Sequence, residues 1–252
     1  MNQLSDIEKY TVGIYSEKNK ELKLFGSGIL VLYKEIYLLL SAHHVFDREE
    51  EQIEIENDPD EEGIPQDNFE SFLCRDITGS FFYIDNYYQA QVYTSTCDTN
   101  KKEIVFNEDT EYGICFLEKP MVQYFLESGK IFYEISEINH IPLIKPGEKV
   151  ILGGFPKYAQ KENVEIFRSY LGKFPLNNIY SLNGLIRILF ENDHAFCIEQ
   201  NDYVKIKKPE GIEGMSGGGV WMEKEGTYIP VGIILRQEED FIEMYPISSI
   251  IK

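Results

Sequence analysis

A run of small residues near the C-terminal end of the chain has the composition of a site for acyl transfer. The run is Gly214-Met215-Ser216-Gly217-Gly218-Gly219-Val220. Its small residues let the backbone curl so that the N–H groups of Gly214 and Ser216 point at one spot. A carbonyl oxygen that becomes negative there would be stabilised by about 2.7–4 kcal/mol per donor. Because glycine-rich turns are common, the run indicates this chemistry only if Ser216 also has a base.

The order of the histidines along the chain limits which fold can supply that base. They are His43, His44, His140 and His194, and all of them precede Ser216. The spacing Gly-x-Ser-x-Gly also fits the nucleophile elbow of α/β-hydrolases, but that fold needs its histidine after the serine. A catalytic triad in the chain order His…acid…Ser therefore remains open.

Three further segments give the chain a family resemblance. They are Gly26-Ser27-Gly28-Ile29-Leu30, then Ser41-Ala42-His43-His44-Val45 after an apolar run, and later Val231-Gly232-Ile233-Ile234. With the serine run, they resemble the chymotrypsin/trypsin-like serine peptidases, whose motifs are Gly-Thr/Ser-Gly, Thr/Ser-Ala-Ala-His and Gly-Asp-Ser-Gly-Gly-Pro-Val. Gly154-Phe155-Pro156 is similar to a motif of the bacterial high-temperature-requirement branch. The resemblance runs over roughly residues 10 to 250 and favours a bacterial, intracellular type of member.

The resemblance implies an all-β fold of two packed six-stranded Greek-key β-barrels with a short C-terminal helix. Residues 1–120 would form the first barrel, 121–145 the crossover and 146–252 the second barrel with the terminal helix. An acidic stretch at about 47–70 is expected as an exposed insertion. Short runs rich in Tyr, Phe, Ile and Val between turns agree with a barrel. We also predict a tight turn at Lys34-Glu35 and a short helix at Met121–Ser128, with the active site in the cleft between the barrels.

The family pattern assigns the triad to positions of this chain. It puts His44 at the catalytic histidine, with His43 in place of the second alanine. The acid-bearing strand of the family resembles Glu111-Tyr112-Gly113-Ile114-Cys115-Phe116-Leu117, where Glu111 replaces the usual aspartate. Asp109 is the alternative acid, since residues two apart on a strand share a face.

The same resemblance gives two expectations for the substrate. Glu210, six residues before the nucleophile, would lie at the floor of the primary pocket. A carboxylate there would favour Lys or Arg through a charge-assisted bond, although Glu210 also fits an exposed acid paired with a neighbouring lysine. The strand Val231–Leu235 would pair with an extended peptide, which places Leu235 among the substrate-binding residues.

Two departures from the family bear on activation. Met215 replaces the aspartate that zymogen-type members use, and Gly219 replaces a proline, which loosens the loop. Either the oxyanion loop is already formed, as in bacterial and viral members, or an activating protein partner orders it. The main alternative to a peptidase is a pseudoprotease that keeps the barrels as a protein-binding module, and esterase or autoprocessing activity is a third.

The composition limits which binding partners and which cellular compartment we expect. The net charge of −19 over 252 residues argues against nucleic acid and would attract basic peptides. The four cysteines show no Cys-x-x-Cys spacing, so we expect neither a zinc site nor another cofactor. Val45 stands where secreted trypsin-like enzymes carry a cysteine. Without a signal-like start or an apolar run of about 20 residues, we expect a cytoplasmic protein that has free thiols and no membrane contact.

Overall fold

The architecture is seen in a computed structural model. It describes residues 4–18, 21–46, 72–75, 81–84, 92–93, 95–98, 103–106, 112–136, 141, 144–145, 147–160, 166–173, 186–190, 194–199, 202–207, 211–237 and 241–251. Over these residues strands dominate, and the helices are short. The predicted all-β class is therefore confirmed.

In the described part of the chain, the strands of the first half form an eight-stranded, mainly antiparallel sheet and a separate two-stranded sheet. They are β1 (Thr11–Lys18), β2 (Glu21–Tyr33), β3 (Ile36–Ala42), β4 (Phe72–Arg75), β5 (Phe81–Ile84), β6 (Val92–Tyr93), β7 (Ser95–Asp98), β8 (Glu103–Phe106), β9 (Tyr112–Phe116) and β10 (Tyr133–Ile135). The sheet order is β5-β4-β1-β2-β3-β9-β6, and β10 runs parallel to β2. β7 and β8 pair separately as a two-stranded sheet.

The remaining strands form a second antiparallel sheet that closes on itself. They are β11 (Lys149–Gly154), β12 (Arg168–Lys173), β13 (Ile186–Phe190), β14 (His194–Glu199), β15 (Asp202–Lys207), β16 (Gly219–Lys224), β17 (Thr227–Gln237) and β18 (Phe241–Pro246). The order β11-β16-β17-β18-β13-β12 returns to β11 through a β11–β12 pairing. This ring is the predicted six-stranded barrel of the C-terminal half, and β14–β15 is a hairpin attached to β12. Closure removes the exposed edges of an open sheet.

The helices are short and lie at the ends and the crossover of the chain. They are α1 (Leu4–Lys9), α2 (His43–Phe46), α3 (Lys119–Glu127) and α4 (Ile247–Ile250), with a 3-10 turn at Lys157–Ala159. α3 begins two residues before its predicted start because Pro120 suits the first turn of a helix. α4 is the predicted C-terminal helix, whereas α1 was not predicted.

The β2–β3 hairpin sets the position of the histidine segment. Its turn residues Lys34 and Glu35 have φ values of 45° and 67°, as a two-residue turn matching the strand twist requires. The hairpin runs in register from Tyr33↔Ile36 to Ile29↔Leu40. The predicted tight turn is thus confirmed, and it carries β3 to its end directly before His43.

One apolar core joins the two sheets. Trp221 of β16 is fully buried, and its ring stacks on that of Tyr10 with 5.5 Å between centroids. Tyr133 of β10 meets both rings edge-on. The strands that carry the histidine and serine segments therefore pack on a shared interior.

Cys115 of β9 is a free thiol buried in this core, and burial raises its pKa from 9.0 to about 12. The unfolded chain releases this proton near pH 9, but the folded chain keeps it, so stability falls as pH rises between these values. We expect this thiol to contribute a loss of about 1.4 kcal/mol per pH unit. Urea denaturation at several values from pH 8 to 10.5 should show a shallower decline for Cys115→Val. Identical slopes for wild type and variant would refute the assignment.

Candidate active site

Ser216 lies in a tight loop that enters β16, and a glycine on each side shapes it. Gly214 has a φ of 91° and Gly217 a φ of 84°. Residues other than glycine rarely adopt this left-handed region of φ. The small residues of the run are therefore needed for the backbone path around the serine.

Gly217 brings the serine loop into direct contact with the first sheet. A Cβ on Gly217 would overlap the Ser41 hydroxyl and the Ser27 carbonyl, and would lie 2.9 Å from the Ala42 amide nitrogen. On the other side, the Gly217 N–H donates to the Ile234 carbonyl of β17 at 2.6 Å. The loop is thus held between β3 and β17.

This contact places the serine and histidine segments side by side. Gly217 follows Ser216, and Ala42 precedes His44 by two residues. His44 lies on α2 and is exposed, while Ser216 is half-buried. Val45 holds α2 in place, because its side chain packs where a Cβ on Gly26 would lie. The structure therefore brings together the two segments that the sequence assigned to the nucleophile and the base.

The carbonyls of the loop are held in a way that orients two amides. The Glu213 carbonyl accepts from the Lys157 N–H at 2.7 Å, and the Met215 carbonyl accepts from the Gly218 N–H at 2.8 Å. In a planar trans peptide the C=O and N–H point in opposite directions. The N–H groups of the next residues, Gly214 and Ser216, therefore point away from the Lys157 and Gly218 donors. Among the backbone hydrogen bonds between described residues, neither amide is a donor.

The segment after β11 forms the back wall of the loop. A Cβ on Gly214 would lie 2.7 Å from the Phe155 carbonyl and 3.0 Å from the Lys157 amide nitrogen. The Lys157 ammonium also pairs with the Glu213 carboxylate. Because the Glu213 side chain is 75% exposed, this ion pair contributes only about 0–1 kcal/mol. The backbone contacts matter more for the loop.

Strand β17 passes the serine loop, where Ile234 bonds Gly217 and Gly218, and it has an irregularity at this point. Its pairing with β16 ends at Gly219↔Ile233, and its pairing with β18 is interrupted between Ile234 and Arg236. Leu235 lies in this interruption with its side chain 1% exposed. A peptide pairing here would therefore meet the backbone of Leu235 rather than its side chain.

Behind this edge, Arg236 and Glu243 form an ion pair at 2.8 Å. The Glu243 side chain is only 2% exposed. A buried carboxylate needs such a partner. Its negative charge is thus matched within the sheet.

Three of the sequence-predicted acids, Glu111, Asp109 and Glu210, lie outside the described residues. Tyr112, which follows Glu111 in the sequence, pairs with Ala42 of β3. Within the described part of the chain, no group of three or more His, Cys, Asp or Glu residues is arranged to hold a metal ion. No helix in that part is long and apolar enough to span a bilayer.

Sequence reasoning missed two residues that shape this site, Ser27 and Lys157. The Ser27 N–H donates to the Ser216 carbonyl at 2.7 Å, and the Ser27 carbonyl accepts from the Ser41 hydroxyl at 2.7 Å. The signal for Ser27 was its place between two glycines in an apolar strand. Nothing local distinguishes Lys157, whose role depends on a contact 56 residues away.

Two large, mainly antiparallel sheets, one of which contains a six-stranded ring, and a glycine-framed serine between them define an all-β, chymotrypsin-like fold. Comparison with solved structures agrees with this class. The chain is similar to the crystal structure of AL20, a thermostable serine protease from an extremophilic microorganism, with a TM-score of 0.51 and 12% identity. The match covers 96% of this chain and 92% of that one. No protein-family model and no curated protein matches the chain. At this identity the likeness shows the fold.

The contact of Gly217 with β3 predicts a specific sensitivity to substitution. Gly217→Ala should lower the free energy of unfolding by about 2–5 kcal/mol, because it adds overlap with backbone to the strain of a positive φ. Gly129→Ala is the matched control, since Gly129 has a φ of 82° but no atom within 4 Å of its added Cβ. The control should lose only about 1–2 kcal/mol. Urea denaturation measures both losses, and equal values would show that the close contact does not exist.

Proposed function

We propose that this protein is a serine endopeptidase that hydrolyses peptide bonds through an acyl-enzyme. The observation that carries the proposal is the serine loop itself. Its Gly214 and Ser216 amides point away from the Lys157 and Gly218 donors that hold the adjoining carbonyls, and the loop packs on the segment that bears His44. The fold likeness to a serine protease agrees with this function.

In the proposed mechanism, His44 takes the proton of the Ser216 hydroxyl while the oxygen attacks the peptide carbonyl carbon. The carbonyl oxygen becomes an oxyanion and accepts hydrogen bonds from the Gly214 and Ser216 amides. His44 then gives its proton to the leaving amine, which breaks the C–N bond. Water, activated by His44, frees the acyl group and restores the serine. Glu111 orients the imidazole and stabilises its charged form.

A fluorophosphonate probe tests the nucleophile and the base. We expect the wild type to be labelled covalently and Ser216→Ala not to be labelled. Both Ser216→Ala and His44→Ala should lower peptide turnover by about 10⁶-fold, because the two residues act as a unit. Gel fluorescence and peptide hydrolysis give the two measurements. A folded wild type that neither reacts nor hydrolyses would favour the protein-binding module instead.

The same assays separate the two candidate acids. Replacing the carboxylate that orients His44 by an amide should lower turnover about 10⁴-fold. We expect this loss for Glu111→Gln and near-wild-type turnover for Asp109→Asn. The reverse pattern would assign the role to Asp109, and two active variants would remove the acid from the proposal.

We further propose that Glu210 gives the enzyme a preference for Lys or Arg before the cleaved bond. Glu210→Gln should reduce that preference by about 10- to 100-fold, the value of a hydrogen bond to a charged group of about 1.5–3 kcal/mol. Glu213→Gln is the control, because this nearby carboxylate is exposed and pairs with Lys157. Cleavage of a peptide library, read by mass spectrometry, measures the preference. An unchanged cleavage pattern in Glu210→Gln would assign the pocket to another residue.

The hydrogen bonds of the serine loop favour an enzyme whose oxyanion loop is formed in the isolated chain. The Glu213 and Met215 carbonyls are already held by the chain's own amides, so a partner is not needed to turn them. Activation by a partner stays a prediction, and rapid hydrolysis by the purified chain would argue against it. We also propose a cytoplasmic location, in keeping with the free thiol of Cys115, which cell fractionation would decide.

A further inference from the structure

The hydroxyl of Ser27 joins the first sheet to the oxyanion loop. Ser27 lies in β2 and is fully buried. Its Oγ donates to the Gly214 carbonyl at 2.8 Å and accepts from the Phe155 N–H at 2.9 Å. These partners belong to the serine loop and to its back wall. One hydroxyl thus connects the first sheet to both segments of the second half.

The peptide unit between Gly214 and Met215 is held at both ends. Its carbonyl accepts from Ser27 Oγ, and its N–H donates to the Ile212 carbonyl at 2.8 Å. The unit before it is held through the Glu213 carbonyl. Gly214 has no side chain of its own to restrict rotation. Its backbone conformation therefore depends on anchors of this kind.

We infer that Ser27 is a positioning residue, whose hydroxyl keeps the Gly214 amide directed into the oxyanion site. This inference rests on the proposed function. Without the hydroxyl, the Gly214 carbonyl and the Phe155 amide lose a buried partner, which polar groups in a protein interior rarely tolerate. Turning the peptide to regain a partner would move a donor away from the oxyanion. Ser27 thereby acts on the reaction without touching the substrate.

The space around the hydroxyl supports this specific role. A Cβ on Gly154 would lie 3.0 Å from Ser27 Oγ, so the back wall approaches the hydroxyl closely. Ser27 also donates its backbone N–H to the Ser216 carbonyl. Ser27 thus fixes the backbone on both sides of Met215.

Ser27→Ala tests the inference in the full chain. We expect kcat to fall by about 10²-fold, as for a small misplacement of a catalytic group, with KM changed by no more than about twofold. Affinity for a peptide aldehyde, which forms a tetrahedral adduct with the serine, should fall in parallel with kcat. Ser27→Thr keeps the hydroxyl and should retain kcat to within about tenfold.

Thr11→Val is the matched control. The Thr11 hydroxyl is also buried and donates to a carbonyl, that of Ile7, at 2.8 Å, but it lies away from the serine loop. We expect this variant to lower the denaturation midpoint and leave kcat unchanged. An equal fall in kcat for Thr11→Val and Ser27→Ala would reduce Ser27 to a general stabilising residue.

Amide hydrogen exchange gives a readout that does not need activity. In Ser27→Ala, the Phe155 amide should exchange more than about tenfold faster, while in Thr11→Val it should not. Unchanged Phe155 exchange and unchanged kcat in Ser27→Ala would overturn the inference. An unreactive wild type would overturn the proposed function alone, and the exchange result would still decide whether the hydroxyl holds the loop. If Ser27→Ala does not fold, Ser27→Cys, whose thiol is a weaker donor, replaces it in each measurement.

Discussion

The close approach of Gly217 to strand β3 is the constraint on which the arrangement of the site depends. The backbone of the serine loop meets the Ser41 hydroxyl and the Ser27 carbonyl at a distance that leaves no room for a Cβ. A contact this close fixes position far better than flexible side chains do. Because Ala42 lies at the same contact and leads into α2, the segments that carry Ser216 and His44 are positioned by the same contact.

The rigidity of the serine loop comes from hydrogen bonds and burial rather than from its composition. Glycine-rich segments lose much conformational entropy when they become ordered. In this protein the loop is ordered in the folded chain, so the entropy is lost on folding. Met215 is fully buried at the position where the family pattern Gly-Asp-Ser-Gly-Gly-Pro-Val has an aspartate. Its apolar side chain lies beside Gly154, so packing replaces an ion pair. Under the proposed function, a loop that is ordered before the substrate arrives would need little reorganisation during the reaction.

The family resemblance predicted the fold class, and local patterns predicted some details of the fold and part of the site. The turn at Lys34-Glu35 and the glycines around Ser216 follow from backbone preferences that act over a few residues. α1 has only six residues and is held by the burial of Ile7. A helix this short does not produce a periodic hydrophobic pattern from which it could be predicted. Ser27 acts across 187 residues of sequence, a relationship that only the folded chain reveals. The triad acid and Glu210 remain predictions from the family pattern.

A buried lysine, Lys130, lies against the wall behind the serine loop. Lys130 is 1% exposed, and its ammonium donates to the Thr11 carbonyl at 2.7 Å and lies 5.6 Å from the centre of the Phe155 ring. A buried ammonium is costly unless acceptors such as the Thr11 carbonyl surround it. The N-terminal segment that carries Thr11 is therefore needed beside Lys130. Phe155 in turn forms the wall behind Gly214. Substitutions of Lys130 or Phe155 should therefore alter stability and the geometry of the serine loop together, whereas a change of the Thr11 side chain keeps the carbonyl that Lys130 binds.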